Sequence, residues 1–504
     1  MSLLSPSVSL GRRCEQVLER FGDRDSLFFE GTWHRSAYLA ARAARAAAGF
    51  VGLGVRPGDR VVVLMANCPE VGLTYNALWR AGAVPTPVLF LLTEDEVRHV
   101  VLDSGAVAVV TTPEFLPKVQ AAAPGLPIVV VGGGGTLGWD ELESGAELPL
   151  VDRDGSDLAA LLYTGGTTGR SKGVALTHAS LDAAGRAASE ASYSPGRVSS
   201  LLPLPLAHAY GLLVTVGALH AREPGTAVLM RWFDPAGFVA LVEEHRVQVT
   251  ALVPSMIQML LAQPLEEHDL SCLERVASGA APLSVDVLAE FERRIPGVEV
   301  REGYGCTETS ALISSQPEVR RQGSVGKPVD GVEVRIELPD GTDAVTGVDG
   351  EICVRGPVLM QGYWNSPEAT AFALRDGWLH TGDVGHYDDD GYLYVVDRIK
   401  DLIIRGGFNV YPRDVEDVLL AHPEVVGAAV VGKPDAKLGE EVVAFVQLAP
   451  AATVTPEQLI AHSREHLGAY KYPREVRVID AIPLTSVMKT DRKALRAGLL
   501  ASGG

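Results

Sequence analysis

The residues of this chain best suited to chemistry lie in one short run, Tyr163-Thr164-Gly165-Gly166-Thr167-Thr168-Gly169-Arg170-Ser171-Lys172-Gly173. Glycines let backbone N–H groups approach an anion closely. Hydroxyls add donors and a lysine adds charge, a combination that suits the oxygens of a phosphate. A simple turn does not need so many glycines and hydroxyls around one lysine. Two rival motifs fit less well. The nucleoside-triphosphatase loop has Ser or Thr after Gly-Lys, whereas here Ser171 precedes Lys172 and Gly173 follows it. Gly169-Arg170-Ser171-Lys172-Gly173 has the Gly-x-Ser-x-Gly spacing of a serine-hydrolase elbow, but that elbow directly follows a strand, and here a polar loop intervenes. Upstream, Gly133 to Gly138 matches Gly-x-Gly-x-x-Gly after a strand. No apolar helix pattern follows to meet a pyrophosphate, so it reads as a surface turn.

The elements that must position such a loop are legible from texture. Apolar runs at residues 60–65, 106–111 and 128–131, with helical spacing over 70–83, predict strands buried on both faces in a parallel α/β sheet. The texture repeats from Ala159, with strands predicted at 159–163, 248–254 and 298–302. From about 331 to 397, short alternating strands between Asp-Gly and Gly-Pro turns predict a small antiparallel β subdomain. The last hundred residues pair strands at 425–431 and 442–448 with helices at 415–420 and 456–467, a small α+β domain. The expected division is 1–397 and 398–504, with the boundary in the charged run near Lys400–Asp401.

The 504 residues are 47% hydrophobic and 21% charged, with a formal net charge of −19. That charge opposes general binding to nucleic acid or anionic membranes. Five cysteines without a CxxC or Cys/His cluster argue against a disulfide framework or structural zinc. No apolar run has the length of a membrane span and no signal-peptide pattern opens the chain, so a cytoplasmic location is expected.

At its glycine/threonine loop the chain resembles the adenylate-forming superfamily, which includes acyl-CoA synthetases. Six further segments recur in the superfamily's order: Pro203 to Gly211, Ser278 to Leu283, Gly303 to Glu308, Trp378 to Asp383, Asp397 to Asp401 and Gly406 to Pro412. The resemblance implies an enzyme that uses ATP, Mg²⁺ and CoA to convert a hydrophobic carboxylic acid first to an acyl-adenylate and then to a thioester. It assigns Thr164 to Gly169 and Lys172 to the phosphates, and Gly279, Ala280 and Ala281 to the adenine wall. Tyr304 would stack on adenine, Thr307 would contact phosphate and Glu308 would hold the metal. Asp383, with Arg398 nearby, would bind the ribose. Lys400 would mark the hinge, Gly406 and Gly407 would line the thiol path, and His208 would border the acyl pocket. Lys489 would reach the acid and the α-phosphate from a mobile C-terminal domain.

The bland readings differ. Asp383 could be a turn residue after Gly382, Glu308 a helix cap, Arg398 and Lys400 a solvated charge run, and His208 a satisfied core histidine. Val253, Ser255, Met256, Met259, Leu312 and Ile313 suggest an apolar acid pocket. Two positions depart from the family pattern: Met488 stands where glycine is usual, and Ala207 where an aromatic is usual. A left-handed backbone at Met488 would be strained and could misplace Lys489. One alternative is therefore an enzyme impaired at Met488 that mainly thioesterifies an adenylate supplied by another enzyme; a separate one is an enzyme that loads a carrier protein.

Overall fold

The computed structural model describes residues 9–133, 137–164, 170–435, 437–485 and 490–501. Gly165, Gly166, Thr167, Thr168, Gly169, Met488 and Lys489 lie outside them.

The strands Val84–Pro87, Arg60–Leu64, Ala108–Thr111, Ile128–Val130 and Leu137–Gly138 form one parallel sheet in that spatial order. Val61, Val62, Val63 and Leu64 are all essentially inaccessible, as strands covered on both faces must be. Each such side chain contributes about 1.5–3 kcal/mol through burial. A second sheet aligns Glu299–Tyr304, Arg275–Ser278, Val249–Leu252, Ser199–Leu202, Thr226–Leu229 and Asp25–Phe29 in parallel. Its carboxyl ends are where ligands bind in open α/β sheets.

The strand Leu158–Thr164 departs from expectation. It does not extend a parallel sheet. It pairs antiparallel with Lys172–Thr177, which pairs in turn with Gly362–Tyr363. Thr164 thereby faces Lys172 across the hairpin. A one-turn helix, Trp139–Leu142, follows the Gly133 to Gly138 run.

The antiparallel subdomain joins Glu333–Glu337, Gly350–Arg355, Trp378–Tyr387 and Leu393–Arg398. From Ile403 onward the chain builds its own sheet around Val425–Asp435 and Gly439–Leu448, with its own apolar core. The helices Pro412–Leu420 and Pro456–His466 cover that core. No helix of the described residues is long and apolar enough to cross a membrane.

Candidate active site

Two parallel strands deliver the adenine-wall candidates. Gly279, Ala280 and Ala281 leave the end of Arg275–Ser278, and Ala280 takes a left-handed φ of +71°. A side chain at Gly279 would start 3.2 Å from the Gly303 carbonyl and 3.7 Å from the Tyr210 ring, so glycine keeps this edge open. Beyond Glu299–Tyr304, Thr307, Glu308 and Thr309 form one 3-10 turn. Gly305 packs so closely on the Ala311 backbone that a side chain there would start 2.4 Å from it.

Three residues far apart in sequence converge beside this turn. Asp383 accepts from the Tyr304 hydroxyl at 2.6 Å and from Arg398 Nε at 2.6 Å. Asp383 is buried in the strand Trp378–Tyr387, so it is not an exposed turn residue. Tyr304 is thus held in place by its hydroxyl. Burial, and then the adjacent carboxylate, push that hydroxyl well above the usual tyrosine range, which keeps it a donor. Burial also pushes the Cys306 thiol up, with Glu308 and Asp383 adding to the effect, which opposes formation of a thiolate; Cys306 packs against the main core.

Asp383 is braced from behind by residues that the sequence did not single out. Glu351 accepts from Gly382 N at 3.0 Å with one oxygen and holds His380 Nδ1 at 2.9 Å with the other. Among the described residues, Glu337, Glu351, Cys353 and His380 are the one group whose donor atoms converge enough to hold a cation. Arg335 and Arg375 already pair with its two carboxylates, so its charge is met by hydrogen bonds.

Glu308 accepts from the Tyr363 hydroxyl at 2.8 Å, and Lys172 Nζ sits 5.2 Å over the Tyr363 ring. The Gly362–Tyr363 strand therefore ties the lysine to the glutamate. Among the described residues Glu308 pairs with no cation, which leaves a carboxylate suited to a hard metal ion. Lys400 is exposed, and its charge acts on both Asp383 and Glu308. His208 caps the helix Ala209–Ala218, its Nδ1 accepting from Tyr210 N at 3.2 Å. Gly406 and Gly407 form the tight turn of the hairpin Ile403–Arg405 and Phe408–Val410, at φ +59° and +85°. Val253, Met256, Leu312 and Ile313 are buried, whereas Met259 is 40% exposed.

Glu302, buried beside Tyr304, was also missed. Burial pushes its carboxyl up to about 7, against the pull of Arg413 and of the Leu283 N–H. The folded chain therefore binds this proton more tightly than the unfolded chain. Stability should fall as pH rises from the ordinary glutamate range to about 7, and stay lower above it. Glu302→Gln is expected to raise the denaturation midpoint near pH 8, by the equivalent of about 1–3 kcal/mol, and to give no gain near pH 5. Melting curves at the two pH values check this; equal gains at both would refute it.

Comparison with known proteins identifies the family. Residues 14–364 match the AMP-binding enzyme family and residues 414–489 the AMP-binding enzyme C-terminal domain. Feruloyl-CoA synthase of an Amycolatopsis species is 39% identical over 461 residues, covering 90% of this chain and 92% of the relative. The rice 4-coumarate–CoA ligase 3 is 36% identical, covering 98% and 93%. The ATP-bound structure of MatB from Rhodopseudomonas palustris superposes with a TM-score of 0.89 at 32% identity, covering 97% and 98%. The chain belongs to the AMP-binding enzyme family and is one of its AMP-forming acid–thiol ligases, an adenylate-forming enzyme that joins a carboxylic acid to CoA at the expense of ATP.

Proposed function

We propose that this ligase activates a planar aromatic acid of the hydroxycinnamate class. The observation that carries the reading is the 36–39% identity, over nine-tenths or more of the chain, to ligases named for aromatic acids. The Tyr210 hydroxyl donates to Ala277 O at 3.2 Å, and its ring lies 3.7 Å from where a Gly279 side chain would begin. Tyr210 belongs to the segment expected to border the acyl pocket, and an aromatic side chain there favours a ring over a flexible chain. The activities named for feruloyl-CoA synthase and 4-coumarate–CoA ligase support the same class.

In the first half-reaction a carboxylate oxygen attacks the α-phosphorus of ATP, and the bond to pyrophosphate breaks. No protein nucleophile is needed; the barrier falls through positioning and electrostatics. Asp383, already holding Tyr304 and Arg398, accepts from the ribose hydroxyls. Gly279, Ala280 and Ala281 flank adenine. Thr164 and the loop 165–169 donate to the phosphates with Lys172 and Thr307. Glu308 would hold Mg²⁺, which spreads the charge of the phosphate oxygens. Lys489 meets the acid and the α-phosphate. In the second half-reaction residues 398–504 rotate at Lys400–Asp401, Lys489 withdraws and the thiol enters past Gly406 and Gly407. Its sulfur attacks the acyl carbon, AMP leaves and the thiol proton passes to solvent. Five unpaired cysteines accord with a cytoplasmic setting.

The test is thioester formation, read by mass spectrometry over a panel of aromatic and fatty acids. Each acid is supplied with ATP, Mg²⁺ and CoA, and separately as its synthetic adenylate with CoA. Hydroxycinnamates should exceed fatty acids by at least about tenfold in kcat/KM, a difference of roughly 1.4 kcal/mol. Preference for fatty acids, or product only with a carrier-protein thiol, overturns the reading. Product from the adenylate alone would mark Met488 as the defect, and Met488→Gly should then raise ATP-dependent turnover.

A further inference from the structure

The segment that leads to and from Lys489 is pinned at its base. Leu484 bridges Thr490 in antiparallel register, and Asp491 N donates to Pro483 O at 2.8 Å. Asp491 also accepts from Ala494 N at 2.9 Å, and so starts the helix Arg492–Ala501.

The first residue of that helix is bolted to the rest of the small domain. Arg492 Nη2 donates to both oxygens of Glu416, at 2.7 and 2.8 Å, and its Nε donates to Val430 O at 3.3 Å. Glu416 in turn accepts from Val430 N at 2.7 Å. Glu416 lies on the helix Pro412–Leu420 and Val430 is fully buried in the middle of the strand Val425–Asp435. Three elements are thus locked at one point, three residues from Lys489. Both charged side chains are mostly buried, at 13% and 22% exposure, so the pair is well shielded from solvent.

We infer that Glu416 and Arg492 are positioning residues for the adenylation half-reaction, fixing the C-terminal anchor from which Lys489 reaches the acid and the α-phosphate. The inference rests on the role given to Lys489 above. A lysine on a four-carbon stem meets its target only if its backbone is held, and a displacement of about 1 Å at a reacting group can remove roughly a hundredfold in rate. Arg492 reaches Glu416 through Nη2 and Val430 O through Nε, two nitrogens set apart on one planar group that the single ammonium of lysine does not copy. Thioesterification proceeds with Lys489 withdrawn and does not use the anchor.

The experiment compares Arg492→Lys, Glu416→Gln and Lys489→Ala in two assays: ATP–pyrophosphate exchange, and thioester formation from the synthetic adenylate. Arg492→Lys and Glu416→Gln should each lower exchange about 10- to 100-fold. Both should keep thioesterification within about twofold of the parent, which also shows that the domain is folded. Loss of both half-reactions together would mean a merely structural pair. Normal exchange in these two variants beside a failed Lys489→Ala overturns the inference alone. Normal exchange in Lys489→Ala overturns the reading of Lys489 on which it rests.

Discussion

Asp383→Ala is expected to lower kcat/KM for ATP-dependent thioester formation by about 10³-fold while shifting the denaturation midpoint by only a few degrees. The carboxylate is 4% exposed and already bonds two groups from different elements, the Tyr304 hydroxyl and Arg398 Nε. Removing it releases both from their places and takes away the acceptor proposed for the ribose. Hydrogen bonds to a charged partner contribute about 1.5–3 kcal/mol each, and two of them account for a thousandfold in rate. The stability loss is smaller because the Arg398 side chain is 44% exposed and can rehydrate. What is stranded is chiefly one tyrosine hydroxyl, at about 1–3 kcal/mol. Steady-state kinetics beside a thermal melt test the separation. An unfolded variant would show Asp383 to be a structural residue, and an active one would remove it from the site.

The convergence of Tyr304, Asp383 and Arg398 was not readable from spacing. Asp383 and Arg398 are neighbours across an antiparallel pair, Trp378–Tyr387 with Leu393–Arg398, but Tyr304 comes from the end of a parallel strand in another sheet. Only the ordered run of family segments anticipated their meeting. Parallel strands such as Arg60–Leu64 were legible because burial on both faces imposes a continuous apolar run. The same logic misled at Leu158–Thr164, where Ala159 to Leu162 are buried on both faces of an antiparallel hairpin. Glu351, Tyr363, Glu416 and Arg492 escaped notice for a different reason. A single acid or tyrosine in an ordinary strand or helix carries no local signal, and its importance lies in a partner 30 to 80 residues away.

Lys489→Ala should separate the two half-reactions most sharply. The proposed role of the ammonium group is to offset charge that grows on the α-phosphate and the attacking carboxylate. Removing one such preorganised donor costs about 10²–10³ in rate, or roughly 3–4 kcal/mol. ATP–pyrophosphate exchange should fall by that factor, while thioester formation from the synthetic adenylate stays near the parent rate. The split follows from geometry as much as from charge: residues 403–501 build a sheet and core of their own, separate from the sheets that carry Tyr304 and Asp383. A group carried on such a body can serve one step and leave before the next. Arg398 and Lys400 lie at the proposed hinge, and in this arrangement they put positive charge near Asp383 and Glu308. Exchange surviving in Lys489→Ala would transfer the first half-reaction to those hinge cations, and the departure at Met488 would then have no catalytic consequence.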